Sequence, residues 1–381
     1  MIPYGKQEID QSDIDAVIQT LKGDWITSGP KIDEFEKAIA EYVGAKHAVA
    51  VNSGTSALDI AVGALELPEG SEIITTPFTF VATSNCILYN GCKPIFADID
   101  LKTYNIDPDE IRKKITKKTK AIIYVDYAGQ PCDIDEIREI AQEHDLKLIE
   151  DAAHAIGAEY KGKKVGSLAD MTEFSFHPVK HITTGEGGIV TSNNEELVKK
   201  MRMLRNHGMD RSLRERLGPN ASYAYDIKTL GRNYRITDIQ CALGYSQLKK
   251  LDGIIEKRTR IAAAYAKAFD EMDGITTPFV KNDVKHAWHL YTILLDKGMD
   301  RDKFFNEMRT REIGVNVHYI PIYMFSYYKK LEGAAMDKNN FPNTNDVFSR
   351  IITLPLYPGL ETIEIEKVVN AVRECTNSDK G

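Results

Sequence analysis

Ala121-Ile122-Ile123-Tyr124-Val125, a helical run from Asp133 to Ala141, and Leu146-Lys147-Leu148-Ile149-Glu150-Asp151 form the stretch that decides the fold. The outer runs are short and apolar, as in strands buried on both faces. Between them Ile134, Ile137, Ile140 and Ala141 share one face of a helix. Asp133 can cap it, with Glu136 three residues later as capping-box partner. Strand, helix, strand at this spacing predicts a mostly parallel sheet covered on both sides, with ligands at the carboxyl ends of its strands. The rhythm extends outward through Ala48-Val49-Ala50-Val51, a helix from about Thr55 to Leu65, Ile73-Ile74, a helix through Leu88, and Pro94-Ile95-Phe96-Ala97. Further upstream, Ile14, Val17, Ile18 and Leu21 form the apolar stripe of an early helix.

Downstream, a helical region opens at Thr237 with Gln240 in the capping-box position, and continues in broken form through Leu248, Ile254, Ile261 and Phe269. The character then changes. Residues 289–295 and Val315-Asn316-Val317-His318-Tyr319 read as strands, residues 302–311 as a helix, and Ile365, Val368, Val369 and Val372 as the stripe of a final helix. This predicts a large domain over residues 1–250 and a small α+β domain over residues 251–381. The polar end, Thr376 to Gly381, is expected to fray.

Length and composition support two domains. The chain has 381 residues, enough for a large core without staples. Lys and Arg number 49 against 56 Asp and Glu, a net charge of −7, so no overall positive field draws the protein to nucleic acid or an anionic membrane. The five cysteines (Cys86, Cys92, Cys132, Cys241, Cys375) are scattered, odd in number and never spaced C-x-x-C, which indicates neither a disulfide framework nor a zinc site. A start without a basic stretch and apolar run, and no ~18-residue apolar span, point to a cytoplasmic protein that does not cross a membrane.

The segment richest in chemistry is Phe174-Ser175-Phe176-His177-Pro178-Val179-Lys180-His181-Ile182-Thr183-Thr184-Gly185-Glu186-Gly187-Gly188. Lys180 stands between an apolar strand and a glycine-rich turn, where desolvation lowers an amine's pKa and makes it a nucleophile toward carbonyls. Lysines taken singly are mostly solvated, so its context matters. Asp151 leaves a buried strand where an open α/β sheet binds its ligand and can face a protonated pyridine nitrogen, although it can equally cap a helix. Asn52-Ser53-Gly54-Thr55-Ser56-Ala57 places small and hydroxylated residues at a helix start, a natural phosphate site. A carbonyl-reactive lysine, a strand-end carboxylate and a phosphate cup are together what pyridoxal 5'-phosphate requires.

At these motifs the sequence resembles the DegT-type nucleotide-sugar aminotransferases, and the likeness runs from Trp25-Ile26-Thr27-Ser28-Gly29-Pro30 through Asn233-Tyr234-Arg235 to Val317-His318-Tyr319-Ile320-Pro321. The resemblance implies fold type I of the pyridoxal-phosphate-dependent transferases: a large domain with a mostly parallel seven-stranded sheet between helices, and a small C-terminal α+β domain. It implies that Lys180 holds the cofactor and moves the proton, and that Asp151 keeps the pyridine nitrogen protonated. His154 would lie near the ring and its phenolic oxygen, and Phe80 would stack on the ring. Thr55, Ser56 and Ser175 would bind the phosphate, with Asn233 reaching it from a neighbouring subunit of a homodimer with shared sites. Tyr4, the stretch Trp25, Ile26, Thr27 and Ser28, and the stretch His318, Tyr319 and Ile320 would contact the nucleotide sugar.

The resemblance further implies transamination, with glutamate donating the amino group, pyridoxamine 5'-phosphate carrying it, and a keto-sugar on a nucleotide receiving it. Within the family, residues 175–188 and 236–244 resemble the branch acting on a UDP-linked 4-keto-6-deoxy-N-acetylhexosamine in pseudaminic-acid-type surface glycan biosynthesis. Other dTDP-, GDP- or UDP-keto sugars remain alternatives. So does a B6-dependent sugar dehydratase, in which histidine replaces the lysine; here His181 adjoins Lys180. A non-catalytic sensor of the same fold is a third. Phe80 alone could equally be core. Pro178 between His177 and His181 argues against a helical metal pair, and no metal is expected. His286 and His289 read as packing or surface residues, and Glu186 as part of a turn.

Overall fold

The computed structural model describes residues 1–211, 223–331 and 337–378. Its strands in chain order are β1 (His47–Val51), β2 (Glu72–Thr75), β3 (Lys93–Phe96), β4 (Thr119–Val125), β5 (Lys147–Asp151), β6 (Glu159–Tyr160), β7 (Lys163–Lys164), β8 (Met171–Ser175), β9 (Gly188–Ser192), β10 (Ile275–Thr276), β11 (Val284–Lys285), β12 (Tyr291–Leu295) and β13 (Ile351–Leu354). Seven of them form the main sheet, in the order β1-β9-β8-β5-β4-β2-β3. β3, β2, β4, β5 and β8 run parallel, and β9 is antiparallel to both neighbours. The expectation of a mostly parallel sheet is met.

Period-2 alternation splits the strand residues between two faces. Val49, Val51, Ile123, Ile149 and Val190 pack on one side with α3 (Gly54–Ala64), α4 (Ala82–Tyr89) and α7 (Glu195–Arg205). Ala48, Ala50, Phe174 and Ile189 pack on the other with α2 (Pro30–Val43), and beside them Ile122, Tyr124 and Leu148 pack with α6 (Ile134–Glu143). The open edge at β1 is closed by side chains: Glu36 accepts from Ala50 N at 2.9 Å, and Arg205 donates to Ala50 O at 2.8 Å and to Glu36 at 2.6 Å. An edge so satisfied no longer templates another strand.

The second body is an antiparallel sheet, β10-β12-β13, packed with the helices Arg301–Thr310 and Thr362–Ser378. A long helix, Leu251–Phe269, joins the two cores: Ile254 and Ile255 belong to the first, Ile261, Tyr265 and Phe269 to the second. It starts at Leu251, and its first turns still pack in the first core. Midway along it the fully buried Arg258 donates to the carbonyls of Trp288, His289 and Leu356 at 3.1–3.2 Å. Burial lowers its pKa to about 10. β6, β7 and β11 make a small third sheet.

Several local expectations differ from the structure. The early helix exists as α1 (Gln11–Leu21), yet it buries Asp13 and Thr20 and leaves Ile14 (44%), Ile18 (38%) and Leu21 (55%) exposed. Its inward face is polar because Asp13 accepts from Gln247 and Lys250, each at 2.6 Å. Asp133 precedes α6 without capping it, its carboxylate being taken by Lys281. The box Thr237–Gln240 does form. Residues 315–319 are not a strand: only Asn316 bridges to Thr353, and the His318 carbonyl accepts from the Tyr127 hydroxyl at 2.6 Å. The polar end is helical as far as Ser378, and Thr376 is buried. Residues 379–381 lie outside the described residues.

α3 sits so close to β9 that a Cβ on Gly188 would fall 2.4 Å from Ser53 O and 2.7 Å from Gly54 N. Both are backbone atoms that cannot swing aside. Gly188→Ala is therefore expected to lower stability by about 1–3 kcal/mol, read from the urea midpoint at unchanged slope.

Candidate active site

The carboxyl ends of β5 and β8 are adjacent, with Asp151 in register with Glu173. Parallel neighbours in register point to the same face, so the two carboxyl groups lie side by side beneath α3 and α4. Thr83 of α4 donates its hydroxyl to Asp151 Oδ2 at 2.7 Å, and Ala153 N reaches Oδ1 at 3.3 Å. Asp151 is thus a strand-end carboxylate aimed toward α4, not a helix cap.

Beyond Ser175 the chain makes a closed loop to β9, tied by Phe176 N to Gly187 O at 2.9 Å, Thr184 N to Phe176 O at 3.1 Å and Lys180 N to His177 O at 2.9 Å. This loop carries Lys180 over the carboxyl pair. Burial drives the lysine's pKa down to about 8, against the opposing charges of Glu173 and Asp151. His181 turns away, its Nε2 meeting Ala287 O at 2.9 Å. The neighbouring histidine therefore does not occupy the lysine's place. His177 is exposed, and Glu186 is a turn residue whose carbonyl accepts from Thr184 and Gln240.

The start of α3 closes the third side. Ser53 caps it, accepting from Ser56 N at 3.1 Å, and Ser56 Oγ donates to Asn52 at 2.7 Å. A Cβ on Gly54 would lie 3.1 Å from Ser175 Oγ and 2.5 Å from Glu173 Oε1, so the first turn of the helix rests directly on β8. Gly54, Thr55, Ser56 and Ser175 are thereby brought together at a helix start, an arrangement whose N–H groups, hydroxyls and dipole can receive an anion.

The remaining wall is aromatic. Phe80 is not core: it is 57% exposed, with its ring 6.2 Å from Tyr319. Tyr319 Oη meets His154 Nε2 at 2.9 Å, and Ala128 N donates to His154 Nδ1 at 3.3 Å. Nδ1 is thus the acceptor and Nε2 carries the hydrogen, an assignment made from these bonds. Burial, then the charge on Lys180, holds His154 well below the usual histidine range, so it is neutral. His318 lies behind, 2.8 Å from Thr353 Oγ1, with the Tyr4 ring 5.6 Å away. Ile320 is exposed.

The structure thus gathers Lys180, Asp151, Thr55, Ser56, Ser175, Phe80, His154, Tyr4, His318 and Tyr319 around one cleft. It does not bring Asn233 or the stretch Trp25–Ser28 there. Asn233 is exposed and bridges through its backbone to Asn206. Ile26 O accepts from Asp238 N, while Thr27 and Ser28 line a 1080 Å³ cavity with Arg205, Asn206 and Arg235, a cavity that Lys180 and Asp151 do not line. Sequence reasoning missed Thr83, Glu173 and His289. His289 reads as packing but is buried with its ring 4.3 Å from His154. His286 does pack, stacked 4.0 Å from Trp288.

A sheet of this order with a desolvated lysine above a carboxylate, an anion cradle and an exposed aromatic ring defines a carbonyl–amine enzyme of the fold type I class. The chain belongs to the DegT/DnrJ/EryC1/StrS aminotransferase family, whose model matches residues 7–373, and it is an aminotransferase. It is 44% identical over 362 residues to a Campylobacter jejuni UDP-4-amino-4,6-dideoxy-N-acetyl-beta-L-altrosamine transaminase, covering 94% of this chain and 93% of that one. Among solved structures, Helicobacter pylori PseC, an aminotransferase of pseudaminic acid biosynthesis, superposes with a TM-score of 0.92 at 34% identity, over 99% of each chain. A sugar aminotransferase from Streptococcus pneumoniae, Spr1654 in its PMP form, gives 0.94 at 31%, over 99% of this chain and 100% of that one. No described helix is long and apolar enough to cross a membrane.

A lysine whose ammonium is disfavoured by burial becomes a free amine as pH rises through about 8, not through the ordinary ~10.4. Amine-directed acylation of the cofactor-free protein, read as peptide mass, is expected to modify Lys180 with a midpoint near pH 8. Exposed lysines should follow about two units higher.

Proposed function

We propose that this aminotransferase uses pyridoxal 5'-phosphate to move the amino group of glutamate onto a UDP-linked 4-keto-6-deoxy-N-acetylhexosamine. The observation that carries the reading is the desolvated Lys180 amine held above Asp151 beside the start of α3. The residues fit the cofactor on their own chemistry. The cradle at Gly54 has no room for a side chain, Asp151 is a carboxylate with a fixed hydroxyl donor, and Phe80 offers a ring face in the open cleft. When bound, the cofactor supplies an electron sink.

The chain's own groups do the rest. Lys180, as a free amine, takes the proton from the substrate carbon and returns it at the other end of the exchange. Asp151 would keep the ring nitrogen protonated, and Thr83 holds that carboxylate in place by donating to it. Thr55, Ser56 and Ser175 hold the phosphate. Neutral His154 fixes the Tyr319 hydroxyl, whose hydrogen then points into the cleft. Tyr4, His318, Tyr319 and Ile320 form the acceptor side.

We further propose a homodimer in the cytoplasm with shared sites. Asn233 and the Trp25–Ser28 stretch stand away from the cleft of their own chain and would serve the partner's phosphate and sugar sites. The named relatives support a UDP-sugar of the pseudaminic acid type.

Lys180→Ala is expected to abolish the long-wavelength absorption that the cofactor acquires on the protein, and to lower turnover about a thousandfold or more. Mass spectrometry of products from glutamate and a panel of UDP-, dTDP- and GDP-keto sugars should show amination of the UDP-4-keto sugar first, with parallel double-reciprocal plots. Another nucleotide's product appearing first would replace the acceptor, loss of a hydroxyl oxygen from the sugar without gain of nitrogen would indicate a dehydratase, and inertness across the panel a sensor.

A further inference from the structure

Glu173 has no place in the chemistry above, yet it is the most confined acid next to it. It is 1% exposed on β8, flanked by Asp151 on β5 and Val190 on β9. It is roofed by Gly54, where a Cβ would sit 2.5 Å from Oε1. Among the described residues neither carboxyl oxygen finds a donor. The titratable groups facing it are Asp151, Cys86 from α4 and the Lys180 amine, and Thr83 gives its hydrogen to Asp151. An ionised carboxylate walled in this way, beside a second carboxylate, is an unpaired buried charge. A protonated one has a hydrogen to give, and Asp151 is the acceptor within reach. One proton thus removes both the orphaned charge and the repulsion between like charges.

We propose that Glu173 is a positioning residue of this site: it holds a proton and donates it as a hydrogen bond to the Asp151 carboxylate, so that the pair presents one negative charge to the ring nitrogen. The role rests on the function proposed above, because it acts through Asp151 on the bound cofactor. Burial, and then the charge of Asp151, push the Glu173 carboxyl well above the usual carboxylate range, in agreement with the geometry. A neutral Glu173 has a second consequence. Two ionised carboxylates would hold a proton on Lys180, whereas one leaves the amine freer to serve as a base. A neutral acid also adds no charge against a phosphate at the start of α3.

The test compares Glu173→Gln, which keeps a neutral hydrogen-bond donor, with Glu173→Leu, which keeps the bulk and removes the donor. The proposal expects Glu173→Gln to retain the affinity for pyridoxal 5'-phosphate and the pH profile of its bound absorption within about threefold. Glu173→Leu should weaken cofactor affinity and lower kcat about tenfold, the scale of one hydrogen bond to a charged group, with KM for glutamate little changed. Equal loss in both variants, or a pH profile displaced only by Glu173→Gln, would overturn it. Should Glu173→Leu fail to fold, infrared spectroscopy of the cofactor-free protein labelled with 13C-carboxyl glutamate decides. A protonated-acid band at neutral pH that shifts with the label and vanishes in Glu173→Gln supports the shared proton, and its absence refutes it. Because that readout needs no cofactor, it stands apart from the proposed function, which fails separately if the protein does not bind pyridoxal 5'-phosphate.

Discussion

The contact on which the rest of the site depends is that of the first turn of α3 with the ends of β8 and β9. Gly54 lies against Glu173 and Ser175, and Gly188 lies against Ser53 and Gly54, at separations that leave no space for a Cβ. A methyl group at either position would lift the helix start from the sheet. The N–H groups of the first turn would then lose their place beside Ser175, and the loop that carries Lys180, tied between Phe176 and Gly187, would lose its roof. Small residues here are a condition of approach, and the anion cradle follows from it.

Register does the second part of the work. Glu150 and Asp151 are consecutive on β5, so they face opposite sides of the sheet. Glu150 pairs with Thr172, whose hydroxyl donates to it at 2.7 Å, in a buried environment that raises its pKa to about 7. Asp151 pairs with Glu173 on the site's side. A slip of one residue would exchange the two acids and put Glu150 under Lys180, so the parallel β5–β8 pairing selects which carboxylate faces the cleft.

The same logic shows what could be read in advance. Strand positions and the helix α6 were legible because apolar periodicity is local, and Lys180, Asp151 and Thr55 because each sits at a junction of such elements. Local spacing assigns Asp133 to a cap, but Lys281, far along the chain, takes its carboxylate. The stripe of α1 marks a helix but does not say which face turns inward, which is set by Asp13 meeting Gln247 and Lys250. Val315 to Tyr319 has strand-like residues, but tertiary partners claim its hydrogen bonds. Glu173 gives no local signal for a different reason: an acid between Thr172 and Phe174 on a strand says nothing until the register with Asp151 is known. Single-sequence reading has no access to that register.

The cleft is finally a junction of two bodies, and Arg258 explains how their relation is kept. Among the described residues its guanidinium meets no carboxylate; it is used for its geometry, three carbonyls from the 288–289 turn and from Leu356 converging on one nitrogen. The first of these segments carries His289 against His154. The second follows β13, whose Thr353 holds Asn316 and His318. One buried cation on the connecting helix therefore ties down both supports of the aromatic wall, while α3 and the register of β5 with β8 fix the opposite wall. With a net charge of −7 the chain cannot rely on its overall field to hold an anionic ligand. The distance between these walls, set by neutral donors and close packing, has to supply the selectivity instead.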